Sequence, residues 1–389
     1  MRIAFIYDAL YPYVAGGAER RYHELARRLT TSHDVHYITW QWWDGPSVTQ
    51  SDAITLHGVG TPPALYGTDG KRRVREAASF AARIVPVLLN QRWDVVDCSA
   101  TPYLPLYSAW AATRVTRTPL VATWHEYWGD HWLDYLPHRP LVARTARALE
   151  AGARLLGDRV VGVSPFTLGR MGAAPRSGDL VVPNGVDLAA YSDTSDGIES
   201  RGWDVAYVGR LIDEKRVDLL LGAIAQVRER RPALRCAIVG DGPARAQLEA
   251  SAAARGVSDN VRFLGHLEER SAIDVLRASM LFVLPSAREG FGITVVEAMA
   301  CSAVPIVVRG PHTAAPALVD HGVDGLVCDP TARAIADSIE ELLSQSDRLR
   351  DMQLSARRTA ERFAWDAVTL EMEGVYLAVG QPRVAVATA

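Results

Sequence analysis

The sequence predicts an α/β protein made of two doubly wound halves, each a parallel sheet with helices on both faces. Three observations carry that expectation. Short apolar runs alternate with segments of helical period through the first half. The alternation breaks in a turn-rich, polar stretch at 183–202 and then restarts. The length, 389 residues, fits two domains with full-sized cores, since 48% of the residues are apolar.

The elements follow in order. Ile3–Tyr7 is a short apolar run ending at Asp8, and Ala18, Tyr22, Leu25, Ala26 and Leu29 recur at helical spacing. Val35–Thr39 reads as a second strand. Val74–Leu89 reads as a helix, with Pro86 expected to kink or shorten it. Val95–Cys98 and Leu120–Thr123 are short β runs, and Leu141–Leu156 is helical up to Gly157. Val160–Val163 is a strand, after which Ser164 caps a helix with Pro165 at its first position. Tyr191–Gly202 has little to bury and reads as the linker. Beyond it come strands at Val205–Val208, Ala237–Val239, Val261–Leu264, Leu281–Leu284, Val304–Val308 and Gly325–Cys328. Helices are expected at Val217–Arg230, Ala244–Ala254 and Ala272–Ala278. Thr331–Ala378 is mostly helical, with a frayed tail at Gly380–Ala389. The expected domains are 1–190, 191–365 and a C-terminal helix and tail, 366–389, returning to the first domain.

Composition excludes several classes. With 42 basic against 45 acidic residues, net −3, nothing points to a nucleic-acid partner. Cys98, Cys236, Cys301 and Cys328 are scattered and suggest neither a zinc site nor a disulfide framework. No apolar window of about 18 residues suggests a transmembrane helix. The N-terminus reads as a first strand rather than a signal peptide, so the expected compartment is cytoplasmic. Lys71-Arg72-Arg73-Val74-Arg75 opens an amphipathic segment. It leaves open peripheral contact with the inner membrane beside the simpler reading of a sheet-covering helix.

The chemistry is expected in turns after strands, because open α/β sheets bind ligands at their carboxyl edge. The densest such turn is Pro285–Ala300. Glu289 and Glu297 flank Gly290, Phe291 and Gly292, and Ile293 and Thr294 open a helix. The first turn of that helix offers amides and a positive dipole end to an anion. A diphosphate joining a sugar to a ribose fits: Glu289 toward the sugar, the amides on phosphate, Glu297 on the ribose diol. The plain alternative is a βα unit with surface glutamates.

Other turns add to this. Gly209-Arg210 and Lys215 place two cations suited to a diphosphate after a strand, or else form a solvated basic loop. Asp241 and Gly242 in Gly240-Asp241-Gly242-Pro243 wall a base or ribose, or serve only the turn. Gly265-His266 is open between contacting a nucleobase and no role. Gly16-Gly17 after the first strand allows close approach of a phosphate, or only tight packing. His125 directly follows a strand and can bond a sugar hydroxyl. Glu126, Tyr127 and His131 follow it in an aromatic segment that suits an acceptor. Trp42 and Trp43, with Trp40, line an acceptor site or form a packed lid.

Taken together these pieces resemble the retaining GT-B glycosyltransferases of family 4, over nearly the whole chain. The resemblance rests on Gly16-Gly17, His125, Asn184-Gly185-Val186-Asp187, Gly209-Arg210 with Lys215, Gly240-Asp241-Gly242-Pro243, and the Glu289/Glu297 pair. It implies two Rossmann-like domains facing a cleft. It also implies transfer of a sugar from a nucleotide-diphosphate sugar, UDP- or GDP-type, to a hydroxyl of a small-molecule, lipid-linked or glycan acceptor, with retention. By resemblance Arg210 and Lys215 hold the diphosphate, Gly17 the distal phosphate, Glu289 the sugar hydroxyls, Glu297 the ribose, and His125 the sugar side of the reacting centre. No metal and no cofactor are implied, the nucleotide sugar being a co-substrate. Glu126-Tyr127-Trp128 departs from the acidic-then-small pattern of many relatives, which bears on the acceptor pocket. Three alternatives stay open: a sugar-nucleotide epimerase of the same architecture, a non-catalytic nucleotide-sugar binding protein, and a glycan phosphorylase, for whose pyridoxal lysine the sequence shows no site. Base, sugar, acceptor and oligomeric state are not legible.

Overall fold

The computed structural model describes residues 1–14, 16–65, 73–172, 178–191 and 202–380. It divides into two compact units, 1–184 with 365–389, and 185–364.

The first unit runs β1 (Arg2–Ile6), α1 (Gly17–Leu29), β2 (Asp34–Thr39), β3 (Val48–Ser51), β4 (Ile54–Gly58), α2 (Val74–Leu89), β5 (Val95–Ser99), α3 (Tyr103–Thr116), β6 (Leu120–Trp124), α4 (His131–Tyr135), α5 (Pro140–Ala153), β7 (Arg159–Gly162), α6 (Pro165–Arg170) and β8 (Leu180–Val181). Its sheet has the order β3-β4-β2-β1-β5-β6-β7-β8 and is parallel except for the β3–β4 hairpin at one edge. The central strands are buried on both faces, which is why they read as continuous apolar runs. The hairpin was not expected. Its turn holds Asp52 and Ala53 at φ 50° and 63°, a primed turn without the Asn-Gly or Asp-Gly signal.

Pro86 does not shorten α2, which continues to Leu89. Phe80, Ile84 and Leu88 anchor it to the core on either side of the proline, whose own ring is exposed. This buried face makes α2 a sheet-covering helix. Lys71 and Arg72 of the basic stretch lie outside the described residues, as do most of the expected linker (192–201) and the tail (381–389). At α6 the Ser164 hydroxyl accepts from the Thr167 amide at 3.0 Å, with Pro165 at the first position.

The second unit runs α7 (Leu188–Tyr191), β9 (Trp203–Val208), α8 (Val217–Val227), β10 (Cys236–Val239), α9 (Arg245–Ala254), β11 (Val261–Gly265), α10 (Glu269–Arg277), β12 (Ser279–Leu284), β13 (Arg288–Glu289), α11 (Ile293–Ala300), β14 (Val304–Val308), β15 (His312–Thr313), β16 (Leu326–Cys328), α12 (Ala332–Leu343) and α13 (Ser346–Glu361). Its main sheet is parallel throughout, in the order β11-β10-β9-β12-β14-β16. Residues just after Asn184 are stitched here: the Val186 amide donates to the Phe363 carbonyl at 2.7 Å. A last helix, α14 (Trp365–Gly380), belongs to the first unit and buries Trp365, Val368, Met372, Val375 and Tyr376.

Among the described residues no helix is long and apolar enough to cross a membrane.

Candidate active site

In the second unit the sheet order sets β11, β10, β9 and β12 side by side, so their following turns share one carboxyl edge. The turns are laced together. The Gly209 amide donates to the Val239 carbonyl at 3.0 Å, Leu211 to Asp241 at 2.9 Å, Ala244 back to Leu211 at 3.0 Å, and Gly240 to Gly265 at 2.8 Å. The Ala287 amide donates to the Glu214 carbonyl at 2.9 Å, joining the β9 turn to the β12 turn.

This lacing explains two glycines. Gly240 has φ +134°, and a Cβ there would lie 1.9 Å from the Gly209 carbonyl oxygen. Gly242 has φ +157°, and its Cβ would lie 2.4 Å from the Leu211 carbonyl oxygen. Both positions are required by backbone packing between turns, whatever else the turns touch.

The same edge brings the charged groups together. The Lys215 ammonium is ion-paired with the Glu289 carboxylate, and both side chains are mostly buried. Glu289 lies in β13, pinned by parallel pairing with β15 and by the Ala314 amide, which donates to its carbonyl at 2.8 Å. Gly292 then takes φ +96° and turns the chain into α11, whose first turn has no side-chain cap. Glu297 lies within α11 and accepts from the Tyr191 hydroxyl at 3.1 Å. Arg210 is exposed at the strand end, and its carbonyl accepts from the Tyr207 hydroxyl at 3.0 Å.

The first unit carries a second cluster. His125 directly follows β6. Its Nε2 is buried with no hydrogen-bond partner among the described residues, and its ring lies 6.0 Å from that of Tyr22. Burial first, and the nearby Arg21 charge second, push its pKa down to about 3, so the imidazole is neutral at pH 7. Beneath it Asp97, fully buried in β5, accepts from Tyr22 at 3.0 Å, Thr123 at 2.8 Å and Tyr376 at 2.6 Å. Burial still raises the Asp97 pKa despite those bonds. Arg21, also fully buried, donates to the Pro183 carbonyl and to Asn184 Oδ1.

The aromatic segment after His125 is held by a carboxylate. Glu150 of α5 is fully buried and accepts from the Tyr103 hydroxyl at 2.6 Å and from the Trp128 and Gly129 amides, each at 2.7 Å. Around it the Trp128 and Trp132 rings lie 4.6 Å apart, and Tyr135 meets Trp128 edge-on at 4.8 Å.

Both halves of the chain match known families. Residues 15–190 match the family described as Glycosyltransferase Family 4, and residues 193–359 the one described as Glycosyl transferases group 1. The D-inositol 3-phosphate glycosyltransferase of Salinispora arenicola is 31% identical, over 93% of this chain and 87% of that protein. The chain is a family 4, group 1 glycosyltransferase. Sucrose-phosphate synthase from Thermosynechococcus elongatus has the same fold, with a TM-score of 0.78 and 20% identity over 97% of this chain and 98% of that one. HepE of Anabaena, solved in complex with UDP-glucose, follows at 0.73 and 20% identity over 97% and 100%. The fold is GT-B.

Within this glycosyltransferase, Gly209, Arg210, Lys215, Asp241, Gly242, His266, Glu289 and the Gly290–Glu297 segment all fall on the carboxyl edge of the second unit's sheet. Some side chains are otherwise engaged. Phe291 is buried against Phe363, ring to ring at 5.9 Å, so only its backbone is left for a ligand. Asp241 accepts from the Gly242 amide at 2.7 Å and from Arg245 at 3.2 Å, which together hold its carboxyl below the usual range. His266 is exposed.

In the first unit Gly17 opens α1 and Gly16 precedes it in extended backbone, while Ala15 of that turn lies outside the described residues. Trp42 donates to the Asp8 carbonyl at 3.3 Å and Trp43 to the Pro46 carbonyl at 2.8 Å. Trp40 is buried and donates to Glu76 at 2.6 Å, so it is core. Glu126 accepts from the Trp128 indole at 2.8 Å, Tyr127 lies against Trp124 at 5.8 Å, and the His131 ring meets Trp128 at 5.4 Å.

Sequence reasoning missed Asp97, Glu150 and Tyr191. The first two had a signal. Asp97 interrupts an apolar strand, and Glu150 lies on the same helical face as Ala143 and Ala153. A carboxylate on a buried stripe has to find donors.

Proposed function

We propose that the protein transfers a sugar from a nucleotide-diphosphate sugar, most simply a UDP-sugar, to a hydroxyl of a small polar acceptor, with retention and without a metal ion. The Lys215–Glu289 ion pair beside the uncapped start of α11 carries this reading. An ammonium and a helix N-terminus without a side-chain cap suit a diphosphate, and an adjacent carboxylate suits sugar hydroxyls. Arg210 adds a second cation to the leaving phosphate, so that the developing charge meets fixed protein charges. Glu297 accepts from the ribose diol. His125 contributes a neutral imidazole, and Gly16 and Gly17 the amides that open α1. UDP is favoured over GDP because HepE, of the same fold, was solved with UDP-glucose. The Salinispora relative's name supports a phosphorylated cyclitol among the acceptors to be tried. Trp42, Trp43, Glu126, Tyr127 and His131 are assigned to the acceptor side.

The test is transfer in the presence of EDTA, with UDP-glucose, UDP-N-acetylglucosamine and GDP-mannose as donors. D-inositol 3-phosphate and simple sugars serve as acceptors, and the product anomer is read by proton NMR. The proposal expects nucleoside diphosphate release with an α-linked product from an α-linked donor. A β-linked product would overturn retention. Activity abolished by EDTA and restored by a divalent ion would overturn metal independence.

A further inference from the structure

We infer that Tyr191 is a positioning residue of the donor site: its phenol fixes the Glu297 carboxylate for a ribose diol and thereby sets a preference for ribo- over 2′-deoxyribonucleotides. The inference rests on the role given to Glu297 above. Tyr191 ends α7, a short helix outside the strand–helix alternation, and is 1% exposed. Its hydroxyl donates to Glu297 Oε1 at 3.1 Å, from a point 106 residues away in sequence. The helix end that carries it is clasped in turn, since the Ala190 carbonyl accepts from the Arg277 guanidinium of α10.

A glutamate side chain has several rotatable bonds, and ordering it on binding costs entropy. A donor anchored in packed structure pays that cost before the ligand arrives, which is preorganisation. An ionised carboxylate accepts only, with about four lone-pair sites. The bond from Tyr191 takes one of those sites and fixes the plane in which ribose hydroxyls are met. A deoxyribose offers only one of those hydroxyls, so a correctly held carboxylate discriminates against it.

Tyr191→Phe removes the hydroxyl and keeps the ring in its packing, and a thermal melt confirms that the variant folds. UDP, GDP and ADP, each with its 2′-deoxy counterpart, are titrated calorimetrically into wild type, Tyr191→Phe and Glu297→Gln. The expected result is a wild-type preference for the ribo form, with Tyr191→Phe lowering ribonucleotide affinity by about threefold to tenfold and leaving deoxynucleotide affinity unchanged. In transfer assays the same variant raises the donor KM and spares kcat. An unchanged ribo-to-deoxy ratio in Tyr191→Phe, while Glu297→Gln loses it, overturns the role of Tyr191 alone. No ribo preference in wild type, or a ratio untouched by Glu297→Gln, overturns the reading of Glu297 and the inference with it.

Discussion

Lys215 and Glu289, 74 residues apart in sequence, are joined by an ion pair at the carboxyl edge of the second unit's sheet. Because both side chains are mostly buried, removing either leaves the other's charge poorly solvated. Lys215→Met and Glu289→Gln should each cost about 1–3 kcal/mol of stability, and the double variant less than the sum. Urea denaturation measures all three. Strictly additive losses would mean that the two groups do not depend on each other.

Gly240 and Gly16 should respond differently to alanine. At Gly240 the new Cβ meets a backbone carbonyl at 1.9 Å in a left-handed conformation, so neither partner can swing away. A loss of about 3 kcal/mol or more is expected, with a lower melting temperature. At Gly16 the backbone is extended, and the nearest atoms to the Cβ are at the end of the Glu19 side chain. The cost there should stay within about 1 kcal/mol. Equal melting temperatures for the two variants would contradict this account.

His125 makes stability pH-dependent in a defined direction. Its folded pKa, about 3, lies below the unfolded value of 6.5. Between those values the unfolded chain binds a proton that the folded chain does not, so stability falls as the pH drops from 6.5 toward 3. His125→Leu should flatten that part of the curve. Parallel curves for wild type and variant, from denaturation at half-unit pH steps, would show that His125 is not the titrating group.

Glu150 fixes the aromatic segment that follows His125. Glu150→Ala deprives the Trp128 and Gly129 amides and the Tyr103 hydroxyl of their acceptor. We expect a cost of about 2–4 kcal/mol and faster amide exchange at 128–135 than elsewhere in the unit. Exchange that rises evenly over the whole unit would mean that Glu150 is a general core residue.

Much of the fold was legible because continuous apolar runs and period-3.6 patterns are set by burial, and the central strands of both sheets are buried on both faces. Ser164-Pro165 was readable as a helix start because capping is local chemistry. Pro86 does not shorten its helix, because the packing of Phe80, Ile84 and Leu88 overrides its local cost. The Val48–Gly58 hairpin was missed because its turn, with Ala53 at positive φ, lacks the expected residues. At the candidate site the glycines and charges singled out from sequence fall at strand ends of the second unit's sheet. The reason for Gly240 and Gly242 did not follow from sequence, because turn-to-turn approach depends on sheet order. Tyr191 carried no signal, since its bond to Glu297 spans 106 residues.

The most direct test of the donor-site assignment is calorimetric titration of UDP, in EDTA, into wild type and Lys215→Met, with uridine as the control lacking phosphate. Saturable UDP binding to wild type is expected. Lys215→Met should weaken UDP by about tenfold or more and leave uridine unchanged. If UDP, GDP and ADP all fail to bind wild type, or if Lys215→Met binds UDP as tightly as wild type, the strand-end turns of the second unit are not the diphosphate site described above.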